Sequence, residues 1–144
     1  MSFEKPGYQD ADLMLRVYEM RRESKTREAR DTLNFQFLPT SYDDVKAVQR
    51  IDHPLNQSWR QLSGYWELVF GLARNGIVNA NYLAETNGEG LFFFAKIAPY
   101  LEQIRRNGSP KAFQNLEWVA TECESGRQMF AYSQGVVKKL SENK

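Results

Sequence analysis

Residues 87–99 read NGEGLFFFAKIAP, and the reading of this stretch decides the fold. The unbroken apolar run from Leu91 to Phe94 would suit a phosphate loop, a membrane anchor or a packed helix. Gly88-Glu89-Gly90 matches the start of a Gly-x-Gly-x-x-Gly loop, but Phe93 stands at the third glycine position and no clear strand precedes it. A dinucleotide loop needs both features. A membrane-spanning helix needs about 20 apolar residues, and Lys96 interrupts this run. A buried strand over 91–97 fits by length. The helical pattern, however, continues past Pro99 through Leu91, Phe94, Ile97 or Ala98, Leu101 and Ile104. Pro99 removes the hydrogen bond to the carbonyl of Ala95, so the pattern predicts one kinked helix over about 90–107. Arg105 and Arg106 then meet the negative pole of the helix dipole, and Gly108 follows.

The same period extends to both sides. Over about 55–74, Trp59, Leu62, Trp66, Val69, Phe70 and Ala73 form a stripe that Tyr65, Leu68 and Leu72 widen. Gly64 and Gly71 interrupt it at roughly 1 kcal/mol each against alanine, and the expected compensation is another backbone close to both. Asn75-Gly76 ends this helix. A short helix capped by Asn79, with Tyr82 and Leu83, runs from there to Asn87-Gly88.

Upstream, a helix over about 10–33 is capped by Asp10 or Asp12, and Leu13, Met14, Val17, Tyr18 and Met20 form an apolar face. Its stretch from Met20 to Arg30 is polar all round and solvated, with charges at helical spacing in Asp12–Arg16, Glu23–Arg27 and Glu19–Arg22. Ser41, Asp43 and Asp44 open a shorter helix that stops before Pro54. Downstream, Ser109-Pro110 opens the last helix. Its register of Ala112, Leu116, Val119, Cys123, Gly126, Phe130, Ser133, Val137 and Leu140 is spaced like a coiled-coil seam. Trp118, Met129, Tyr132 and Val136 make a second apolar edge. Two readings stand here: one helix over 110–141, or two broken at Ser125-Gly126. The expected fold is all-α, a single-domain helical bundle of about six helices with a long C-terminal helix, spanning 1–144 with frayed ends at 1–8 and 141–144.

Composition narrows the function classes. A chain of 144 residues fits one domain, and its 9 Phe, 7 Tyr and 3 Trp fill a core easily. A net charge of +1 gives no strong general attraction to nucleic acid or anionic lipid, so neither a nucleic-acid nor a membrane partner is expected. The first residues lack the basic region and apolar core of a signal peptide, which predicts a cytoplasmic protein. Cys123 and His53 are the only residues of their types. An intrachain disulfide, a zinc site of several Cys and His, and a di-iron bundle with two Glu-x-x-His motifs are thereby excluded. His53, beside Pro54, reads as an exposed turn residue, and Cys123 as a small buried one. Asn56-Gln57-Ser58 fits a glycosylation sequon that is inert without secretion. No catalytic residue, metal ligand or cofactor is assigned.

Lys96 is the sole charge between Leu91 and Leu101, and Glu67 the sole charge between Gln61 and Ala73. A buried charge needs a partner or a shifted pKa. The two could pair across packed helices, or Lys96 could reach water on its long stem.

The stretches YWELVFGLARNGIVNANYLAE, 65–85, and FFFAKIAPYLEQIRR, 92–106, resemble a bacterial family of helical domains of unknown function. In that family an aromatic-Glu helix runs into a Gly-Ile turn and a short helix, followed by a helix with the same proline and arginine. The resemblance implies an all-helical fold and supplies no activity and no site residue. Members often carry a membrane segment ahead of this region, and residues 1–64 hold no such run.

The functional expectation is a non-catalytic helical protein that self-associates or docks a protein partner. The interface candidates are Leu116, Val119, Cys123, Phe130, Val137 and Leu140. Arg16, Arg21, Arg22, Lys25, Arg27 and Arg30, set against Glu19, Glu23 and Glu28, offer a basic surface for an acidic partner. The alternative is a small-molecule-binding protein or enzyme with a mostly apolar pocket near Glu67 and Lys96, to which Arg60, Arg74 and Tyr82 would contribute.

Overall fold

In a computed structural model that describes residues 5–143, the described residues form nine α-helices, one 3-10 turn and no strand. In order these are α1 (Tyr8–Arg22), α2 (Ser24–Gln36), α3 (Tyr42–Val48), α4 (Asn56–Arg74), α5 (Ala80–Thr86) and α6 (Gly88–Ile97). The 3-10 turn (Ala98–Tyr100), α7 (Leu101–Asn107), α8 (Gln114–Glu122) and α9 (Glu124–Glu142) follow. The six expected helices become nine because three of them are each divided in two. The fold class is all-α, as the periodicity implies.

The stripe on α4 explains its place. Leu62, Trp66, Val69 and Phe70 are enclosed, and the helix packs against both α2 and α8. Packed on this, α6 meets α9, with Phe94 against Phe130 at 5.4 Å between ring centroids. A run of rings, Phe37, Trp59, Phe93 and Phe113, crosses the core at 5.6 to 6.1 Å in edge-on and tilted contacts.

The first division corrects the single helix expected over 10–33. Glu23 is extended, with φ −58° and ψ 143°, and its carboxylate accepts the N–H groups of Lys25 at 3.1 Å and Thr26 at 3.2 Å. It therefore caps α2 rather than pairing with Arg27. The physical reason lies in the polar run from Met20 to Arg30. No apolar stripe holds that stretch straight, and the break turns Thr26, Ala29 and Leu33 toward the core. The Asp12–Arg16 pair does form, at 3.3 Å.

The second division is the expected kink at Pro99, taken up by the 3-10 turn. The third settles the C-terminal alternative in favour of two helices, with the break at Cys123 rather than Ser125-Gly126. Cys123 is extended, and the first turn of α9 doubles back on the last turn of α8. Gly126 makes this possible: a Cβ there would lie 1.9 Å from the Val119 carbonyl oxygen. The last helical span also starts later than Ser109-Pro110 predicts, at Gln114, after Phe113 in the left-handed region at φ 58°.

The coiled-coil register now has a different meaning. Leu116 and Val119 are fully enclosed in this chain's own core and Cys123 is buried, so that part of the expected interface closes within one molecule. Val137 is half-buried and Leu140 is exposed. Gly64 faces open space and Gly71 meets the Asn115 side chain, so no backbone approaches either as expected. The close approach is at Gly90, where a Cβ would sit 2.6 to 2.9 Å from Phe70 and Trp66. Of the expected frayed ends, residues 1–4 and 144 lie outside the described residues, while α1 starts at Tyr8 and α9 runs to Glu142.

Two glycine substitutions test this packing. Gly64→Ala should raise stability by about 0.5–1 kcal/mol in urea denaturation, because it improves helix propensity without a clash. Gly90→Ala should lower it by about 1–3 kcal/mol through overpacking against two enclosed rings.

Candidate functional site

Glu67 and Lys96 do not pair. Each ends on the backbone of a different helix. Lys96 lies in the last turn of α6 and is 3% exposed. Its Nζ donates to the carbonyl oxygens of Leu33 at 2.8 Å and Asn34 at 3.4 Å, in the last turn of α2. It stands 4.5 Å from the centroid of the Phe92 ring. A cation at a helix C-terminus satisfies orphan carbonyls and opposes the dipole. Burial pulls the Lys96 pKa down to about 8, against the pull of the Glu89 charge. The side chain therefore does not reach out to water.

Glu67 does the converse at an N-terminus. Its two oxygens accept the N–H groups of Asn115 at 2.9 Å and Leu116 at 3.1 Å, in the first turn of α8. The N-cap residue of that helix, Phe113, supplies no side-chain cap. Burial raises the Glu67 pKa, while the two N–H bonds, Arg105 and Arg74 act to lower it.

A second polar seam joins α2 to α6. Arg30 grips the Glu89 carboxylate with both Nε and Nη2, the latter at 3.1 Å, and Asn34 Nδ2 donates to it at 2.9 Å. Both partners are about three-quarters buried, and the bond to Glu89 raises the Arg30 pKa. Sequence reasoning missed this pair, since Glu89 was weighed only as part of a glycine loop and Arg30 only as part of a basic surface. The available signal was a lone carboxylate at the start of a helix whose only other charge is Lys96 in its last turn. Nearby, Tyr65 donates its hydroxyl to the Val17 carbonyl at 2.7 Å, and burial lifts its pKa to about 12.

The remaining candidates do not converge. Arg60 is exposed and donates to Asn56 Oδ1 at 2.9 Å. Arg74 is exposed at the end of α4. Tyr82 borders a groove between α1 and α5. Lys96 borders another, of about 330 Å³, with Pro39, Tyr100 and Val137 and without Glu67. Its amine is tied to two helix-end carbonyls of α2, which denies it the free position that a nucleophilic lysine needs. Cys123 lines a polar cleft of about 530 Å³ at the α8–α9 break, but burial pushes its thiol pKa up, away from the reactive thiolate. His53 is half-buried in its turn, and Nδ1 accepts the Leu55 N–H at 3.0 Å. Asn56, the sequon residue, is buried, and its amide donates to the Val48 carbonyl at 2.9 Å. Among the described residues no three His, Cys, Asp or Glu side chains are grouped to hold a metal ion.

What fold and polar groups define together is a helical domain whose buried charges serve helix ends. Residues 6–123 match a family described as a domain of unknown function (DUF4760), and the chain belongs to that family. The match takes in both stretches, 65–85 and 92–106, that carry the helical-family resemblance, and it ends at the break before α9. Comparison with the curated proteins and with the solved structures found no match. Among the described residues no helix is long and apolar enough to cross a membrane.

Two measurements follow from these caps. Between about pH 8 and 10.5 the unfolded chain keeps the Lys96 proton and the folded chain releases it. Stability should therefore rise with pH through that window, and Lys96→Met should lose the rise in denaturation at its two ends. Taking wild type minus variant removes the opposite effect of Tyr65, which acts above pH 10. In a double-mutant cycle, Glu67→Ala and Lys96→Met should each destabilise by about 1–3 kcal/mol. Their effects should add to within about 0.5 kcal/mol, since the two side chains share no partner.

Proposed function

We propose that this chain is a non-catalytic, cytoplasmic interaction domain that self-associates through the second apolar edge of α9. The observation that carries the reading is a stripe of Tyr132 and Val136 of that edge with Leu140 of the first register, beyond Met129, which packs on Gly88 and the chain's own core. Tyr132 is 75% and Leu140 41% exposed, while Gly126 and Ser133 are buried and Phe130 packs on the chain's own core. An antiparallel pairing with a second copy sets Tyr132 of each chain against Val136 of the other, as a two-fold interface requires. It also opposes the two helix dipoles. The alternative pocket at Glu67 and Lys96 gains no support, because the two groups serve different helices.

Sedimentation velocity tests the reading. The wild type should sediment as a dimer and Val136→Glu as a monomer of unchanged helicity by circular dichroism. A wild-type protein that stays monomeric at its highest soluble concentration overturns it.

A further inference from the structure

A groove of about 300 Å³ runs between α1 and α5. Ala11, Leu15 and Tyr18 of α1 form one wall, Tyr82 and Thr86 of α5 the other, with buried Met14 beneath. Helical spacing puts Ala11, Leu15, Tyr18 and Arg22 on one face. Leu15 is 64% and Tyr18 46% exposed, although α1 already buries Met14 and Val17 in the core. The apolar wall is thus additional to what the fold uses.

One end of the groove is cationic. The guanidinium carbons of Arg21 and Arg22 lie 5.1 and 5.5 Å from the centroid of the Tyr18 ring. Among the described residues neither arginine forms an ion pair. Arg21 has only a long bond, 3.5 Å, to Asn87 Oδ1. The carboxylates of Asp12, Glu23 and Glu85 are engaged elsewhere: Asp12 with Arg16, Glu23 with the N–H groups that open α2, and Glu85 with the Ser125 hydroxyl. Glu19 remains as an exposed anion on α1.

We infer that this groove docks an acidic amphipathic helix from a partner protein. Its apolar side chains lie between Leu15, Tyr18 and Tyr82, and its carboxylates meet Arg21 and Arg22 at the Tyr18 end. A walled groove fits a helix better than a flat bilayer. This surface is separate from the α9 edge and does not rest on self-association.

The test uses the full chain and two labelled synthetic helices, followed by fluorescence anisotropy. One carries leucine at i, i+3, i+4 and i+7 with glutamate elsewhere, and the other has lysine in place of glutamate. The glutamate helix should bind about tenfold tighter or better, and should weaken with added salt. Leu15→Asp and Arg22→Glu, both at exposed positions, should each weaken it about tenfold, while Val136→Glu binds like the wild type. Equal affinity for the two helices, no binding of either, or indifference to Leu15→Asp overturns the inference. So does a self-association that Leu15→Asp abolishes, which would make the occupant a second copy. Binding to anionic vesicles that Leu15→Asp abolishes, without peptide binding, overturns it in favour of lipid.

Discussion

The ends of the helices govern this structure. Every α-helix leaves its first four N–H and last four C=O groups without internal partners, and burying them unpaired is costly. Dividing three long helices into six multiplies such ends. The chain satisfies several of them with side chains from other helices. Glu67 of α4 serves the start of α8, Lys96 of α6 the end of α2, Asn56 the end of α3, and Asn81 of α5 the start of α9. None of those four contacts is local in the way an ordinary cap is. Each of these four ends is complete only when another helix is docked, which ties local structure to packing and argues for cooperative assembly.

This dependence also explains which features were legible in the sequence. The stripe on α4, apart from Leu68, which is exposed, the kink at Pro99 and the caps at Ser41 and Asn79 are signals carried by the residues themselves, and each is found in place. The break at Glu23 was not legible, because no glycine or proline marks it, and the apolar period through Cys123 moved the expected C-terminal break to Ser125-Gly126. The lone charges Glu67 and Lys96 were rightly read as needing partners. Reasoning from side chains alone matched them with each other. Their partners are backbone groups at helix ends, which a residue pattern does not display until the breaks are known.

Magnitudes separate the roles of the buried charges. A buried ion pair gains little over an apolar replacement, since desolvation cancels much of the attraction, yet removing one partner is costly. Arg30 and Glu89 fit that account: bidentate geometry and the Asn34 amide meet several of their bonding groups, and the pair fixes the register of α2 on α6. Lys96 extends the same seam from the C-terminal end of α6. Its lowered pKa measures what burial costs the ammonium, and the carbonyls of α2 offset part of that cost. These groups are bound to structure, and that weighs against using them for chemistry.

What remains for interaction is apolar, on the first and last long helices, and α5 lies between them. Asn81 and Glu85, one turn apart on α5, hold the first turn of α9 through Ser125. Tyr82 and Thr86, the next pair along, border the α1 groove. A seven-residue helix thus presents one face to each surface. Leu83 and Ala84 on its inner side are fully enclosed, which anchors it against rotation. A ligand in the groove can reach the α9 edge only by displacing that anchor. The two surfaces should therefore act independently, and coupling between them would require α5 to leave its seat in the core.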